Sequence, residues 1–197
     1  SFIGLDFFYD KRNQKYQTTS GFFSNYNVNL PILSDTNTLT NTYNYKIFKE
    51  LYENNVSTFS FSFQGASSLS GDDIKLSERL YIPGRRLRGF ESGKIGPKDG
   101  SDFIGGNYVS TINATTTIPK ILENVQSVDI VMFADAANIW GVDYDDSLDK
   151  NGIRSSIGVG LDWLTPVGPL TFSFAQPITK EPSDIEETFR FNIGTSF

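Results

Sequence analysis

The sequence predicts an all-β fold, specifically a transmembrane antiparallel β-barrel, on three observations. Aromatic residues make up 14% of the chain, with 17 Phe and 9 Tyr, and most lie in stretches that alternate with Ser, Thr, Asn and Gly. Asp, Asn, Gly and Pro gather between those stretches, which is the layout of strands separated by turns and loops. The polar faces of the alternation are small and uncharged rather than rich in Lys and Glu. Such faces suit a wet, confined lumen better than the outside of a soluble β-sandwich, the competing fold.

About nine strands are expected, at 1–10, 20–33, 39–52, 55–68, 106–119, 127–140, 153–165, 168–178 and 188–197. Within 55–68, Phe59, Phe61 and Phe63 oppose Ser60, Ser62 and Gln64. Within 153–165, Ile157, Val159, Leu161 and Trp163 oppose Ser156, Gly158, Gly160 and Asp162. Leu170, Phe172 and Phe174 oppose Thr171 and Ser173 in the next strand. The last strand is the sharpest, with Phe189, Phe191, Ile193 and Phe197 on one parity and Arg190, Asn192, Gly194 and Ser196 on the other. Successive side chains point to opposite faces of a strand, so one face there is aromatic and the other polar or tiny. No helical period longer than about two turns stands out, although Tyr45 to Glu53 also fits one.

Most connections are short, such as Asn54-Asn55 and Pro166-Val167-Gly168-Pro169, where two prolines and a glycine force a reversal. Two are long: an acidic loop at 141–152 and a far longer loop at 69–105. Barrels of this kind set short turns at one rim and long loops at the other. An odd strand count is awkward for a bacterial barrel closed within one chain and natural for a fragment. The chain begins at Ser1 and its only methionine is Met132, so a processed start or a fragment is expected.

Composition excludes several function classes. There is no Cys and no His, which removes disulfides, thiolate nucleophiles, Cys/His zinc sites and imidazole bases. The net charge of −6 and pI near 4.7 speak against a nucleic-acid partner. Mean hydropathy is −0.28, and no apolar run approaches the roughly 18 residues of a membrane helix. Alternating strands average to low hydropathy, so neither fact counts against a barrel. Asp143, Asp145, Asp146 and Asp149 cluster as in a calcium loop, but the glycine at the sixth position and the Glu at the twelfth are missing. Gly158-Val159-Gly160 lacks the third glycine and following helix of a nucleotide fingerprint. No cofactor and no metal site are expected.

The centre of the 69–105 loop reads Tyr81-Ile82-Pro83-Gly84-Arg85-Arg86-Leu87-Arg88-Gly89-Phe90, followed by Ile95-Gly96-Pro97 and Gly105-Gly106-Asn107. These words resemble the sixth extracellular loop of the Omp85 superfamily of outer-membrane barrels. The resemblance continues, in order, through Phe133-Ala134-Asp135-Ala136-Ala137-Asn138-Ile139-Trp140, through the run from Gly158 to Leu170, and to the terminal strand from Phe189 to Phe197. Upstream, Tyr9-Asp10-Lys11-Arg12-Asn13 and Thr18-Thr19-Ser20-Gly21 resemble the family's motif between two earlier strands.

The resemblance implies that 1–197 is the C-terminal part of a sixteen-stranded bacterial surface antigen barrel. The N-terminal strands and the periplasmic POTRA domains would lie outside it. It implies that the 69–105 loop folds inward, that Arg88 of the Arg88-Gly89-Phe90 motif pairs with Asp135 on the lumenal wall, and that a second acidic partner falls by spacing at Thr115, where this sequence departs from the pattern. Arg85 and Arg86 have a second reading, facing lipopolysaccharide phosphates at the rim. Phe189, Phe191, Ile193, Gly194 and Phe197 resemble the signal strand by which barrel proteins are recognised, with Gly194 serving either bending or tight packing.

The implied function is a non-enzymatic insertase of the bacterial outer membrane, folding barrel clients by edge-strand pairing at a lateral seam. Its implied partners are unfolded outer-membrane clients, lipoproteins of the barrel-assembly machinery, outer-membrane lipid and lipopolysaccharide. A sister assembly factor, a two-partner secretion transporter or porin, and a barrel-anchored enzyme are the alternatives. Isolated 1–197 would leave two unpaired sheet edges and is expected to self-associate.

Overall fold

The computed structural model describes residues 2–15, 18–32, 37–53, 55–118, 128–149, 151–165 and 168–193. Its strands are β1 (Phe2–Asp10), β2 (Gly21–Pro31), β3 (Thr38–Tyr52), β4 (Asn55–Ser68), β5 (Gly89–Phe90), β6 (Lys98–Asp99), β7 (Asp102–Phe103), β8 (Tyr108–Thr117), β9 (Val128–Trp140), β10 (Arg154–Thr165), β11 (Gly168–Thr179), β12 (Glu186–Glu187) and β13 (Phe189–Ile193). Nine of them form one sheet in the order β1-β2-β3-β4-β8-β9-β10-β11-β13. Every pairing is antiparallel, and the sheet is open, with β1 and β13 at its edges. Tyr45 to Glu53, the stretch that also fits a helical period, lies in β3 as far as Tyr52, and Tyr45 pairs with Phe61.

The two faces of the sheet differ as the alternation requires. One carries exposed Phe7, Tyr26, Phe59, Ile157, Val159, Trp163, Phe174, Phe189 and Phe191. Their rings meet across strands, as in Phe7 with Tyr26, Tyr43 with Phe61, and Phe174 with Phe189 at 4.8 Å between centroids. Pairs of this kind add packing on a pleated surface, and here they form a band suited to lipid. The opposite face carries buried Ser62, Thr111, Asp135, Ser156 and Ser173, and the 69–105 segment lies on it. That face is the lumenal wall.

The long segment is not structureless. It holds a one-turn helix (Leu76–Glu78), the two-residue strands β5, β6 and β7, and an apolar centre. Ile82, Leu87, Phe90 and Ile95 bury against Val109 of β8 and Ala137 and Ile139 of β9. A second one-turn helix (Asp146–Leu148) sits in the acidic connection between β9 and β10.

Candidate functional site

The site is built on one row of the lumenal wall. Antiparallel register sets Asn113 of β8 opposite Asp135 of β9, and Asp135 opposite Ser156 of β10. Strand parity turns all three toward the loop. Arg88 reaches this row from above. Its Nε donates to Asp135 Oδ2 at 2.7 Å, its Nη2 to Oδ1 at 2.7 Å, and its backbone amide to Oδ2 at 3.1 Å. The guanidinium carbon lies 3.4 Å from the centroid of the Phe133 ring, and Ser156 Oγ donates to the Arg88 carbonyl at 2.5 Å. A planar fork matched to a fully buried carboxylate, with an aromatic floor below, is the arrangement for which Arg is suited and Lys is not.

Two glycines make the approach possible. Gly89 has φ +92°, a left-handed conformation that turns the chain at the motif, and a Cβ there would stand 3.3 Å from Ala175 and Ser156. Gly158 pairs with Phe133 across the β9–β10 ladder, and its Cβ would fall 2.4 Å from the Phe133 ring. Small residues on the inner face of β10 therefore make room for the ring beneath Arg88, which also accounts for Gly158-Val159-Gly160 without a nucleotide.

The other motif arginines diverge. Arg86 Nη2 donates to Asn44 Oδ1 on β3 at 2.8 Å, and its carbonyl accepts from Asn113, so Arg86 lies on the lumenal wall and not at a rim. Arg85 is exposed and lines a cavity of about 560 Å³ with Gly84, Glu91, Glu187, Arg190 and Asn192. At the second acidic position, where the sequence has Thr115, the pairing is relocated. The residue beside Asp135 is Asn113, which donates to Oδ1 at 2.8 Å, whereas Thr115 sits opposite Phe133, one inward position further along β8.

Of the terminal strand, Phe189, Phe191 and Ile193 lie in β13 and are exposed on the lipid face. Arg190 and Asn192 take the other parity, and Arg190 Nη2 donates to the Phe90 carbonyl at 2.7 Å. Gly194 and Phe197 lie outside the described residues, as do Asn54, Pro166 and Val167.

Two further arginine–aspartate pairs emerge only in three dimensions. Arg154, almost fully buried on β10, donates Nε to Asp184 Oδ2 at 2.9 Å. Arg79 pairs with Asp143, which also accepts from the Ile74 amide at 2.6 Å. Of the other acidic-loop carboxylates, Asp145 accepts from the Ser147 amide and Asp149 from the Gly141 amide. Among the described residues no cluster of acidic side chains is arranged to hold a metal.

An amphipathic antiparallel sheet, lipid-facing on one side and covered on the other by an arginine-anchored loop, is the wall of an outer-membrane β-barrel. A profile of the Omp85 superfamily domain matches residues 1–197. The outer membrane protein assembly factor BamA of Neisseria meningitidis is 30% identical over 174 residues, which are 71% of this chain and 22% of that protein. BamA of Neorickettsia risticii is 29% identical over 132 residues, covering 65% of this chain and 18% of that protein. The crystal structure of BamA from Haemophilus ducreyi lacking POTRA domains 1-3 superposes with a TM-score of 0.86 at 28% identity, covering 96% of this chain and 41% of that one. The chain belongs to the Omp85 superfamily. Its open sheet corresponds to part of a bacterial outer-membrane barrel, and the chain spans less than half the length of each of these relatives.

Proposed function

We propose that this chain is the C-terminal part of a BamA-like outer-membrane assembly factor, the strands and POTRA domains before it belonging to the same protein. It acts without enzymatic chemistry, folding barrel clients into the outer membrane by letting a client strand add to the edge of β13. The observation that carries this reading is the position of β13. Phe189–Ile193 form the last described strand and pair with β11 on one side, and on the other the resemblance implies a seam with the first strand of the full barrel that opens to a client. An edge of this kind offers a row of backbone donors and acceptors to an incoming strand, which is how strand addition gains affinity. The names of the relatives support the same class of function. Unfolded outer-membrane proteins are then the clients, and assembly lipoproteins, outer-membrane lipid and lipopolysaccharide its surroundings. A TamA-like assembly factor or a two-partner secretion transporter would use the same barrel.

The test is reconstitution of the full-length protein in liposomes with a urea-unfolded barrel client. Faster client insertion than in empty liposomes supports the assembly reading. A rate equal to empty liposomes, with ion conductance through the reconstituted protein, favours the transporter.

A further inference from the structure

The segment between β11 and β13 does not continue the ladder of either strand. β11 runs to Thr179, yet β13 pairs with it only over Leu170–Phe174, with one further bond from the Ala175 amide to the Thr188 carbonyl at 2.9 Å. Instead the chain from Glu181 to Glu187 turns inward and lies on the lumenal loop. Glu186 and Glu187 pair with Phe90 and Gly89, two residues that directly follow Arg88. The Glu91 amide donates to the Ile185 carbonyl at 2.9 Å, and the Ile185 amide to the Lys94 carbonyl at 3.0 Å. Arg190, on β13 itself, adds its bond to the Phe90 carbonyl.

One buried carboxylate holds this arrangement together. Asp184 Oδ2 accepts from Arg154 Nε at 2.9 Å and from the Glu181 amide at 2.7 Å, and its Oδ1 from the Gly96 amide and Arg154 Nη2, each at 3.3 Å. Both ion-pair side chains are essentially inaccessible, at 1% and 0% exposed. Asp184 therefore joins three parts of the chain at a single point: the wall through Arg154 of β10, the lumenal loop through Gly96, and the lead-in to the edge strand through Glu181. Gly96 has φ +98° and packs so closely on Ile139 that a Cβ would fall 2.5 Å from it, so the loop meets Asp184 at a position with no freedom to move aside.

We propose that Arg154 and Asp184 form a latch coupling the lumenal loop to the seam strand: while closed, it ties the order of β13 to the seating of Arg88 on Asp135. Breaking either partner removes an ion pair whose two side chains are almost inaccessible to water, so its loss is costly. Closed, it draws residues 181–187 onto the loop and leaves the far end of β11 unpaired by β13. Open, it frees the lead-in and lets β13 exchange independently of the loop. The coupling stands on geometry alone, and only its consequence for clients rests on the assembly-factor reading above.

The test is amide hydrogen exchange on the full-length protein in lipid, following the β13 amides of Phe189–Ile193. In an otherwise native background, Arg88→Ala should raise β13 exchange by about tenfold or more, because unseating the loop is transmitted through the latch. In an Asp184→Asn background β13 should already exchange faster, and adding Arg88→Ala should change it no further. Should Asp184→Asn not fold, a cysteine pair at Lys94 and Ile185 serves instead, since the chain has no native cysteine. Oxidising that pair fixes the loop to the lead-in, so the rise in β13 exchange on Arg88→Ala should be at least as large oxidised as reduced. An unchanged β13 in Arg88→Ala, equal effects of Arg88→Ala in the native and Asp184→Asn backgrounds, or an Arg88→Ala rise that oxidation of the cysteine pair abolishes each overturns the latch. Client insertion is read in parallel. Coupled exchange with client insertion unaffected by Asp184→Asn would leave the latch in place and count against the assembly-factor reading.

Discussion

Asn113 stands directly across the β8–β9 ladder from Asp135, and its side-chain amide donates to Asp135 Oδ1 at 2.8 Å and to the Arg86 carbonyl at 2.7 Å. One neutral side chain thus supports the carboxylate that holds Arg88 and the backbone two residues before it. Asn113→Leu leaves a carboxylate oxygen and a carbonyl each short of a donor, at a cost of about 1–3 kcal/mol in unfolding free energy. Urea unfolding of the full-length protein in detergent measures it, and a Leu variant as stable as the native protein contradicts the assignment.

The Arg88–Asp135 pair is expected to act as one unit. Removing either partner leaves the other largely buried and uncompensated, a loss of about 3–5 kcal/mol for a buried pair. Arg88→Ala and Asp135→Asn should therefore be less than additive in a double-mutant cycle, with client assembly or stability as readout. Arg88→Lys should resemble the alanine variant, because an ammonium cannot reproduce the fork on two oxygens or the stacking on Phe133. Fully additive effects would mean that the two groups work separately.

The two faces of β13 predict opposite tolerance to charge. Phe191 lies on the lipid face, where its ring pairs with Phe172 at 4.9 Å, whereas Asn192 shares the parity of Arg190. Phe191→Lys should cost about 2–4 kcal/mol near the midplane, and Asn192→Lys close to nothing. Folding titrations into bilayers that give equal costs at the two positions rule out this orientation.

The Arg79–Asp143 link carries a pH signature. Burial pushes the Asp143 carboxyl upward, but hydrogen bonds from the Ile74 amide and the Asn107 side chain, with the Arg79 charge, outweigh it and hold the group below its ordinary range. Its contribution to stability is then complete above the unfolded carboxylate value of about 3.9 and is lost as the pH falls through the lower folded value. The stability difference between the native protein and Asp143→Asn should be constant above about pH 5 and close at lower pH. A difference that widens on acidification has the wrong sign for this account.

Most of the sheet was legible because its signal is local. Alternation alone places Phe59, Phe61 and Phe63 on one face and gives strands whose ends agree with the structure to within a few residues, as at 55–68 and β4. The partnership of Asp135 with Arg88 came from the resemblance, not from spacing. Where the pairing lost at Thr115 is relocated was not legible: the ladder sets Asn113 opposite Asp135, two residues from Thr115 on the same parity, a step that leaves no trace in the alternation. Phe133 was also hidden. On β9 the inward parity carries Val131, Phe133, Ala137 and Ile139, so large residues there face the loop instead of lipid. Arg154 and Asp184 are thirty positions apart in chain segments with no shared motif, and only folding brings them together.

The central claim, that clients are assembled on the β13 edge, is tested most directly by site-specific photo-crosslinking in cells with a stalled barrel client. A crosslinker at Phe191 on β13 is compared with one at Ile157, which faces lipid on β10, two strands in from that edge. The account predicts client adducts at Phe191 and none above background at Ile157. Equal adducts at both positions, or adducts at neither while the client still assembles, would contradict it.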